Sequence, residues 1–271
     1  MKHIIALVLA FLLAASCSSQ PIEGFGLCII SNGSSSNVNG DVPYPMHSVV
    51  KFPQAIYVAD CMNHNGISLD STVTVQKSLL MKDTWSPMLS SMGESRDYTI
   101  RELLRLSLVE SDNNACDLLF NIFGMPERVD AYVKGLGFDG ISISASERQM
   151  HEGAALSAGN CCTPLAMAGF LLWFNEHRDD NPYLQEVWAM MANCNTGKDR
   201  IPAAVPDGCT VIHKTGTGPS LEGKVPPMND AGLVMFPDGK VMAVAIFMPA
   251  PDSPTQLAET VESRLAGLLA R

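Results

Sequence analysis

The sequence is poor in positive charge. It has 18 Lys and Arg against 28 Asp and Glu, a formal net charge of −10. It holds no basic run and no interleaving of basic with aromatic residues, the footprint a nucleic-acid binder needs. Its six histidines, at 3, 47, 64, 151, 177 and 213, make no HxH or HExxH pattern. No His/Cys set has metal-ligand spacing either, so no metal and no metal-dependent hydrolysis is expected. No CxxC pair, no glycine-rich nucleotide loop and no internal repeat is present, and no cofactor is implied. The one compositionally biased tract is a Ser/Asn-rich stretch before Tyr44.

What is there is ordinary globular material. The chain has 271 residues, 46 % apolar and 17 % charged. That suffices for a sizeable core in one large domain or two intertwined ones. The first residues are set apart from the fold. Lys2 and His3 precede an unbroken apolar run, Ile4 to Ala15, which is too short to span a bilayer comfortably. Small residues, Ala14-Ala15-Ser16, close it, so residues 1–16 read as an export signal. Leu13-Ala14-Ala15-Ser16-Cys17 also resembles a lipobox, although Ala14 stands where Leu is usual. Two outcomes stay open: plain cleavage near Ser16, or lipidation of Cys17 with Ser18-Ser19-Gln20 as tether. The expected location is exported, periplasmic, with the membrane touched only through such an anchor. Seven further cysteines remain, Cys28, Cys61, Cys116, Cys161, Cys162, Cys194 and Cys209. Export favours disulfides. The odd number favours buried free thiols for most of them.

Periodicity and turn chemistry divide the rest. Gly24 to Ile30 reads as a strand and Ser31 to Tyr44 as a loop. From His47 onward the pattern turns helical, and Thr99 to Phe123 carries apolar residues at helical spacing. Helices are expected over Pro126 to Leu136, from Thr163-Pro164 to about Glu176, and from about Pro182 to Met191. Ser142 to Asn160 has no sustained period and reads as a long ordered loop. Cys209 to Lys214, Ala231 to Phe236 and Val241 to Met248 are strands, the last two joined at Pro237-Asp238-Gly239. Ser253-Pro254-Thr255-Gln256 offers an N-cap, a Pro at N1 and a Gln at N3 for a last helix reaching Leu269. If the first strand joins the late hairpin, the helical block is an insertion into an α/β sheet domain.

Three short motifs carry chemistry. Ser48-Val49-Val50-Lys51 sets a hydroxyl and an amine one helical turn apart, and a desolvated amine can activate a hydroxyl. Alone, the pattern is common by chance. Ser111-Asp112-Asn113 is the second motif, and Lys214-Thr215-Gly216 at a strand end is the third. Together and in this order they resemble the SxxK, SDN and KTG signature of class A β-lactamases and penicillin-binding proteins. Glu147 resembles the Ω-loop glutamate of class A enzymes, which activates the deacylating water and which penicillin-binding proteins lack. Closer still, the chain is similar to the PER and CfxA subgroup of extended-spectrum enzymes. Tyr44-Pro45-Met46-His47-Ser48, Thr84-Trp85-Ser86-Pro87, Ser111 to Asp117 and Glu147-Arg148-Gln149-Met150-His151 carry that likeness. His151 fits the histidine that replaces the usual asparagine there. The Arg–Asp pair that clamps many Ω loops is absent, because Ala145 and Asn160 occupy its places, so this loop should be held differently.

The resemblance implies an antiparallel sheet flanked by helices, with residues 17–45 and 196–271 forming a discontinuous α/β domain. An all-helical domain, 46–195, would be inserted and carry the Ω loop at about 142–162. It implies a monomeric hydrolase of β-lactams, cephalosporins and penicillins among them, that confers resistance. Ser48 would attack the lactam carbonyl, with backbone N–H groups of Ser48 and Thr217 as oxyanion hole. Lys51, or Glu147 through a water, would take the Ser48 proton. Ser111 would relay a proton to the leaving nitrogen, and Asn113 would hold the water network and the substrate amide. Lys214, Thr215, Gly216 and Thr217, with Arg200 as second cation, would bind the substrate carboxylate. Trp85 would line the cleft, His151 would help order the water, and Cys116 would pack rather than react. A penicillin-binding enzyme and an inactive ligand-binding lipoprotein remain as rivals, with a serine esterase behind them. The helix that opens most class A folds has no counterpart in the short stretch after Cys17. The apolar face of the last helix (Leu257, Val261, Leu265, Leu268) is therefore expected to lie partly uncovered, or to be covered by a partner or the membrane, and reduced stability is expected, not unfolding well above the usual ~45–65 °C range.

Overall fold

The computed structural model describes residues 24–31, 34–220 and 222–269. The expected export signal, Cys17 and the segment that would hold a leading helix lie outside the described residues. No helix among those described is long and apolar enough to cross a membrane.

Five antiparallel strands form the main sheet, in the order Ser34–Val38, Gly26–Ser31, Val241–Met248, Met228–Met235, Thr210–Thr217. Successive side chains on a strand point to opposite faces, and both faces here are apolar. Leu27, Ile29, Val234, Met242, Val244 and Ile246 share a core with the carboxy-terminal helix, Gln256–Leu269. Their strand neighbours Cys28, Leu233, Ala243, Ala245 and Phe247 belong to a second, larger core. That core runs on through the helices Lys51–Asn65 and Pro164–His177, where Phe52 packs between Phe170 and Phe174 at 5.1 and 5.4 Å. The sheet is thus a wall between two hydrophobic cores.

Caps set the helix boundaries. Thr99 and Glu102 close a capping box at the start of Ile100–Val109. Thr163 and Asn181 accept first-turn N–H groups, each followed by Pro at N1. The helical spacing from Thr99 to Phe123 resolves into two helices, because Glu110 to Asp112 leave the helix and Asn113–Phe123 starts anew with Asp112 as its cap.

Four further expectations change. The Ser/Asn tract contains a strand, Ser34–Val38, paired with Gly26–Ser31. As a half-exposed edge strand it needs no alternation of apolar residues. The stretch from 142 to 160 contains two short helices, Glu147–Glu152 and Ala154–Gly159, the first opened by a Ser146/Gln149 capping box. The last helix begins at Gln256, because the Ser253 hydroxyl bonds to Thr255 Oγ at 3.2 Å instead of capping. Its apolar face is not uncovered: Leu257 and Val261 are 0 % exposed, Leu265 2 % and Leu268 8 %, against the sheet. Each such burial contributes about 1.5–3 kcal/mol.

Candidate active site

The edge strand Thr210–Thr217 lies beside a short 3-10 turn, His47–Val50, that leads into the Lys51–Asn65 helix. The approach is backbone to backbone. A Cβ on Gly216 would lie 2.4 Å from the Met46 carbonyl, so only glycine fits. Asn229 pins the same turn, donating from Nδ2 to the carbonyls of Pro45 (2.8 Å) and Met46 (3.1 Å). Two non-glycine residues here are held in the left-handed region, His47 at φ 48° and Ser111 at φ 57°. Such backbone costs of order 1–3 kcal/mol and persists where surroundings over-determine it.

Lys51 is the hub. Its ammonium is fully buried and lies 2.8 Å from Ser48 Oγ, 2.6 Å from Asn113 Oδ1 and 3.1 Å from the Ser111 carbonyl. Glu147 Oε1 stands 2.8 Å from the same nitrogen. An ammonium has three protons, so these four neighbours exceed its donors, and the Glu147 contact is a charge contact without hydrogen-bond alignment. Asn113 completes its amide with a 2.7 Å bond from Nδ2 to Thr84 Oγ1. Ser111 is shared between two lysines, with its Oγ 2.9 Å from Lys214 Nζ and 3.5 Å from Lys51 Nζ.

Lys214 is also fully buried, and its remaining bond goes to the Thr215 carbonyl at 2.9 Å. Burial, with Lys51 close by, pushes its pKa down to about 7. Asp112 turns away from the cleft and fixes the turn, accepting from Met88 N, Ala115 N and Ser86 Oγ at 2.7–3.0 Å. Burial raises its pKa and these bonds oppose the rise.

The cleft has a volume of about 890 Å3, room for a drug-sized ligand. Ser48, Trp85, Asn113, Glu147, His151 and Thr217 all line it. Trp85 is exposed and its Nε1 donates to the Glu110 carbonyl, so it stands on the rim and not in the core. The His151 Nδ1 is bonded to the Glu147 carbonyl one turn back, at 2.8 Å. Lys51, Ser111, Lys214, Thr215, Gly216 and Arg200 sit behind this lining. The Thr215 hydroxyl is buried against Thr196 Oγ1 at 2.6 Å. The Arg200 guanidinium is held by the Gly216 and Asn229 carbonyls and donates to Thr217 Oγ1 at 2.6 Å. The exposed hydroxyl of Thr217 is therefore the group the strand presents, with Arg200 charge behind it.

The loop over the site is held by one asparagine. Asn160 Oδ1 accepts from the amides of Ser144 (2.8 Å) and Ala145 (3.0 Å), and its Nδ2 donates to the Ala145 carbonyl at 2.7 Å. Its own carbonyl accepts from Met46 N at 2.8 Å, tying the loop to the Ser48 turn. Arg148 adds a second tether, to Asp117 and to the Leu79 carbonyl. The clamp is indeed different from an Arg–Asp pair, at the position where its absence shows. Cys116 packs, with Sγ 3.2 Å from Gln54 Oε1 and its pKa raised by burial. Sequence reading missed Thr84, Asp112, Asn160 and Asn229. Thr84, Asp112 and Asn160 lie at positions already singled out but given no role of their own, whereas Asn229 acts through contacts distant in the chain.

Comparison with known proteins agrees with this geometry. The family model of the β-lactamase enzyme family matches residues 12–270. A β-lactamase of Bacteroides uniformis is 35 % identical over 215 residues, covering 78 % of this chain and 72 % of that protein. The extended-spectrum β-lactamase PER-1 of Pseudomonas aeruginosa is 29 % identical over 231 residues, covering 84 % and 75 %. The crystal structure of TLA-1 extended-spectrum β-lactamase superposes with a TM-score of 0.85 at 30 % identity, covering 91 % of this chain and 93 % of that one. The chain belongs to the β-lactamase enzyme family, as a class A serine enzyme of the PER and CfxA kind.

Proposed function

We propose that this β-lactamase opens cephalosporins and penicillins through an acyl-enzyme on Ser48 that water, activated by Glu147, then hydrolyses. The observation that carries the reading is the continuous contact from Ser48 Oγ to Lys51 Nζ to Glu147 Oε1, each step 2.8 Å. Ser48 Oγ attacks the lactam carbonyl carbon and gives up its proton. That proton goes either to Lys51, acting as a neutral amine after it has passed a proton to the adjoining Glu147, or to Glu147 through a water; both routes stay open. Backbone N–H groups of Ser48 and Thr217 stabilise the tetrahedral oxyanion. The C–N bond then breaks, and Ser111, in contact with both lysines, passes a proton to the leaving nitrogen. In the second half Glu147 takes a proton from water, the hydroxide adds to the ester, and Ser48 recovers its proton as it leaves.

Substrate binding follows from the lining. Thr217 at the strand end, with Arg200 behind it and Lys214 further back on the same strand, receives the substrate carboxylate. Thr215 and Gly216 act by position: one ties the strand to Thr196, the other permits its close approach to the Ser48 turn. Asn113 orients Lys51 and offers its amide to the substrate, Trp85 covers one side, and His151 steadies the Glu147 turn. The protein acts as an exported monomer, either lipidated at Cys17 or cleaved near Ser16, and touches the membrane at most through that anchor.

Steady-state hydrolysis of a chromogenic cephalosporin by the purified protein tests this, with Ser48→Ala as control. The reading expects many turnovers per enzyme, lost in the control. A single stoichiometric burst would support the penicillin-binding alternative instead, and turnover surviving in Ser48→Ala would remove the acyl-enzyme.

A further inference from the structure

The face of the Thr210–Thr217 strand opposite Lys214 carries a second constellation that the cleft does not use. His213 is 3 % exposed and its Nδ1 lies 2.9 and 3.0 Å from the two oxygens of the fully buried Asp230. That bond leaves Nε2 as the ring nitrogen not taken by Asp230, and Cys194 lines the same cavity as His213, close enough for each side chain to shift the other's protonation. Cys194 Sγ lies 3.3 Å from Thr196 Oγ1 and 3.7 Å from the Thr196 carbonyl. A carboxylate orienting an imidazole that faces a thiol is the arrangement that holds a thiolate–imidazolium pair.

Physical chemistry agrees on the direction. Burial alone would raise the Cys194 pKa, but the His213 hydrogen bond and charge, with Lys214 nearby and the Thr196 bond, bring it down to about 7. Burial lowers that of His213, and Asp230 and Cys194 more than reverse this. The other cysteines with a resolved shift, Cys28, Cys61, Cys116 and Cys209, are all raised by burial.

This group opens into its own cavity of about 310 Å3, separate from the β-lactam cleft. Cys194, Lys198, Asp207, Cys209 and His213 are among its lining residues. The volume is at the lower limit of small-molecule sites, which excludes a protein partner's domain but admits one small thiol-derived group. Lys198 supplies a cation for a carboxylate, with Asp207 as the single acidic group in the lining among the described residues.

We propose that Cys194, positioned by His213 and Asp230, is a reactive thiol that exchanges with small, carboxylate-bearing disulfides. The Cys194 thiolate attacks one sulfur of the disulfide, a new Sγ–S bond forms and the original S–S bond breaks. The electron pair leaves on the departing thiolate, which takes a proton from solvent. No net oxidant is consumed beyond the disulfide itself.

The purified protein incubated with oxidised glutathione, followed by peptide mapping at timed quenches, tests the proposal. Cys194 should carry the mixed disulfide at least about tenfold faster than Cys61 or Cys209 at pH 7, because an ordinary thiol is only a few per cent ionised there. Its rate should fall no more than about threefold from pH 8.5 to pH 7, while that of Cys61 falls more than about tenfold. His213→Gln should slow Cys194 alone. The wild-type pH profile keeps the test independent of whether that variant folds. Modification of Cys194 no faster than Cys61, or a profile parallel to that of Cys61, would overturn it.

Discussion

The floor of the β-lactam cleft and the clamp that holds the loop above it are built by different means. The floor concentrates charge: Lys51, Glu147 and Lys214 are buried together and held by side chains from three separate elements. The loop from 143 to 160, which carries Glu147 into that floor, is itself held by three neutral hydrogen bonds from one side chain, Asn160, with the Ile143 and Arg148 amides donating to Asp130 and Asp117. Its ion pair, Arg148 to Asp117, is more than half exposed on the arginine side, where such pairs contribute about 0–1 kcal/mol. The contrast separates chemistry from support. A buried charge network tolerates no missing member, because the remaining charge is left unpaired. A neutral clamp can be exchanged for another, which is how this chain dispenses with an Arg–Asp pair.

Removing a member of the floor should have the largest effect. Lys51→Ala strands Glu147 without its cation and deprives Ser48 of its neighbour, so kcat should fall by about 10^2–10^4. Stopped-flow acylation rates check it, and a loss below tenfold would take Lys51 out of the proton path. Asn160→Ala should act on the loop instead. It leaves two amides and a carbonyl unsatisfied, each costing about 1–3 kcal/mol if water cannot reach them. The expected signature is a fall of about 10–100-fold in deacylation with acylation less affected. Equal losses in both steps would merge the two regions that the comparison separates.

Leu257→Ala probes a site remote from both. It should cost about 2–5 kcal/mol in denaturant unfolding and leave kcat/KM near the wild-type value. A smaller loss would mean that the helix face is less well packed than its burial indicates. The smallest effect concerns pH. The folded pKa of Lys214 is lowered to about 7, so the ammonium is present below that pH and is lost as pH rises through it. KM for a carboxylate-bearing β-lactam should therefore rise by about two- to fivefold from pH 6.5 to 8.5, with kcat changing less. A flat KM would leave carboxylate binding to Thr217 and Arg200.

Legibility in the sequence followed the same division. Ser48, Lys51, Ser111, Asn113 and Lys214 sit in motifs whose local geometry is short-range; Ser48, Ser111 and Asn113 meet at the Lys51 nitrogen and Lys214 joins them through Ser111. The hairpin strands and the capped helices were readable from turn residues. The Ser34–Val38 strand was not, because an exposed edge strand needs no apolar alternation. The helix at Glu147 was hidden by its length of 6 residues, although Ser146 and Gln149 spell its capping box. The place of Asn160 was legible and its bonds within the loop were not, while Asn229 was illegible because it bonds backbone far away in the chain, which no local pattern records. The pairing of Cys194 with His213 and Asp230 is illegible on the same ground.

The most direct test of the central claim is intact-mass spectrometry of the Glu147→Ala variant mixed with a cephalosporin. The account predicts rapid, stoichiometric acylation that maps to Ser48 and persists for many minutes, with multiple turnover lost. An unmodified protein that still turns over substrate at a rate near wild type would contradict it, and would place deacylation outside Glu147.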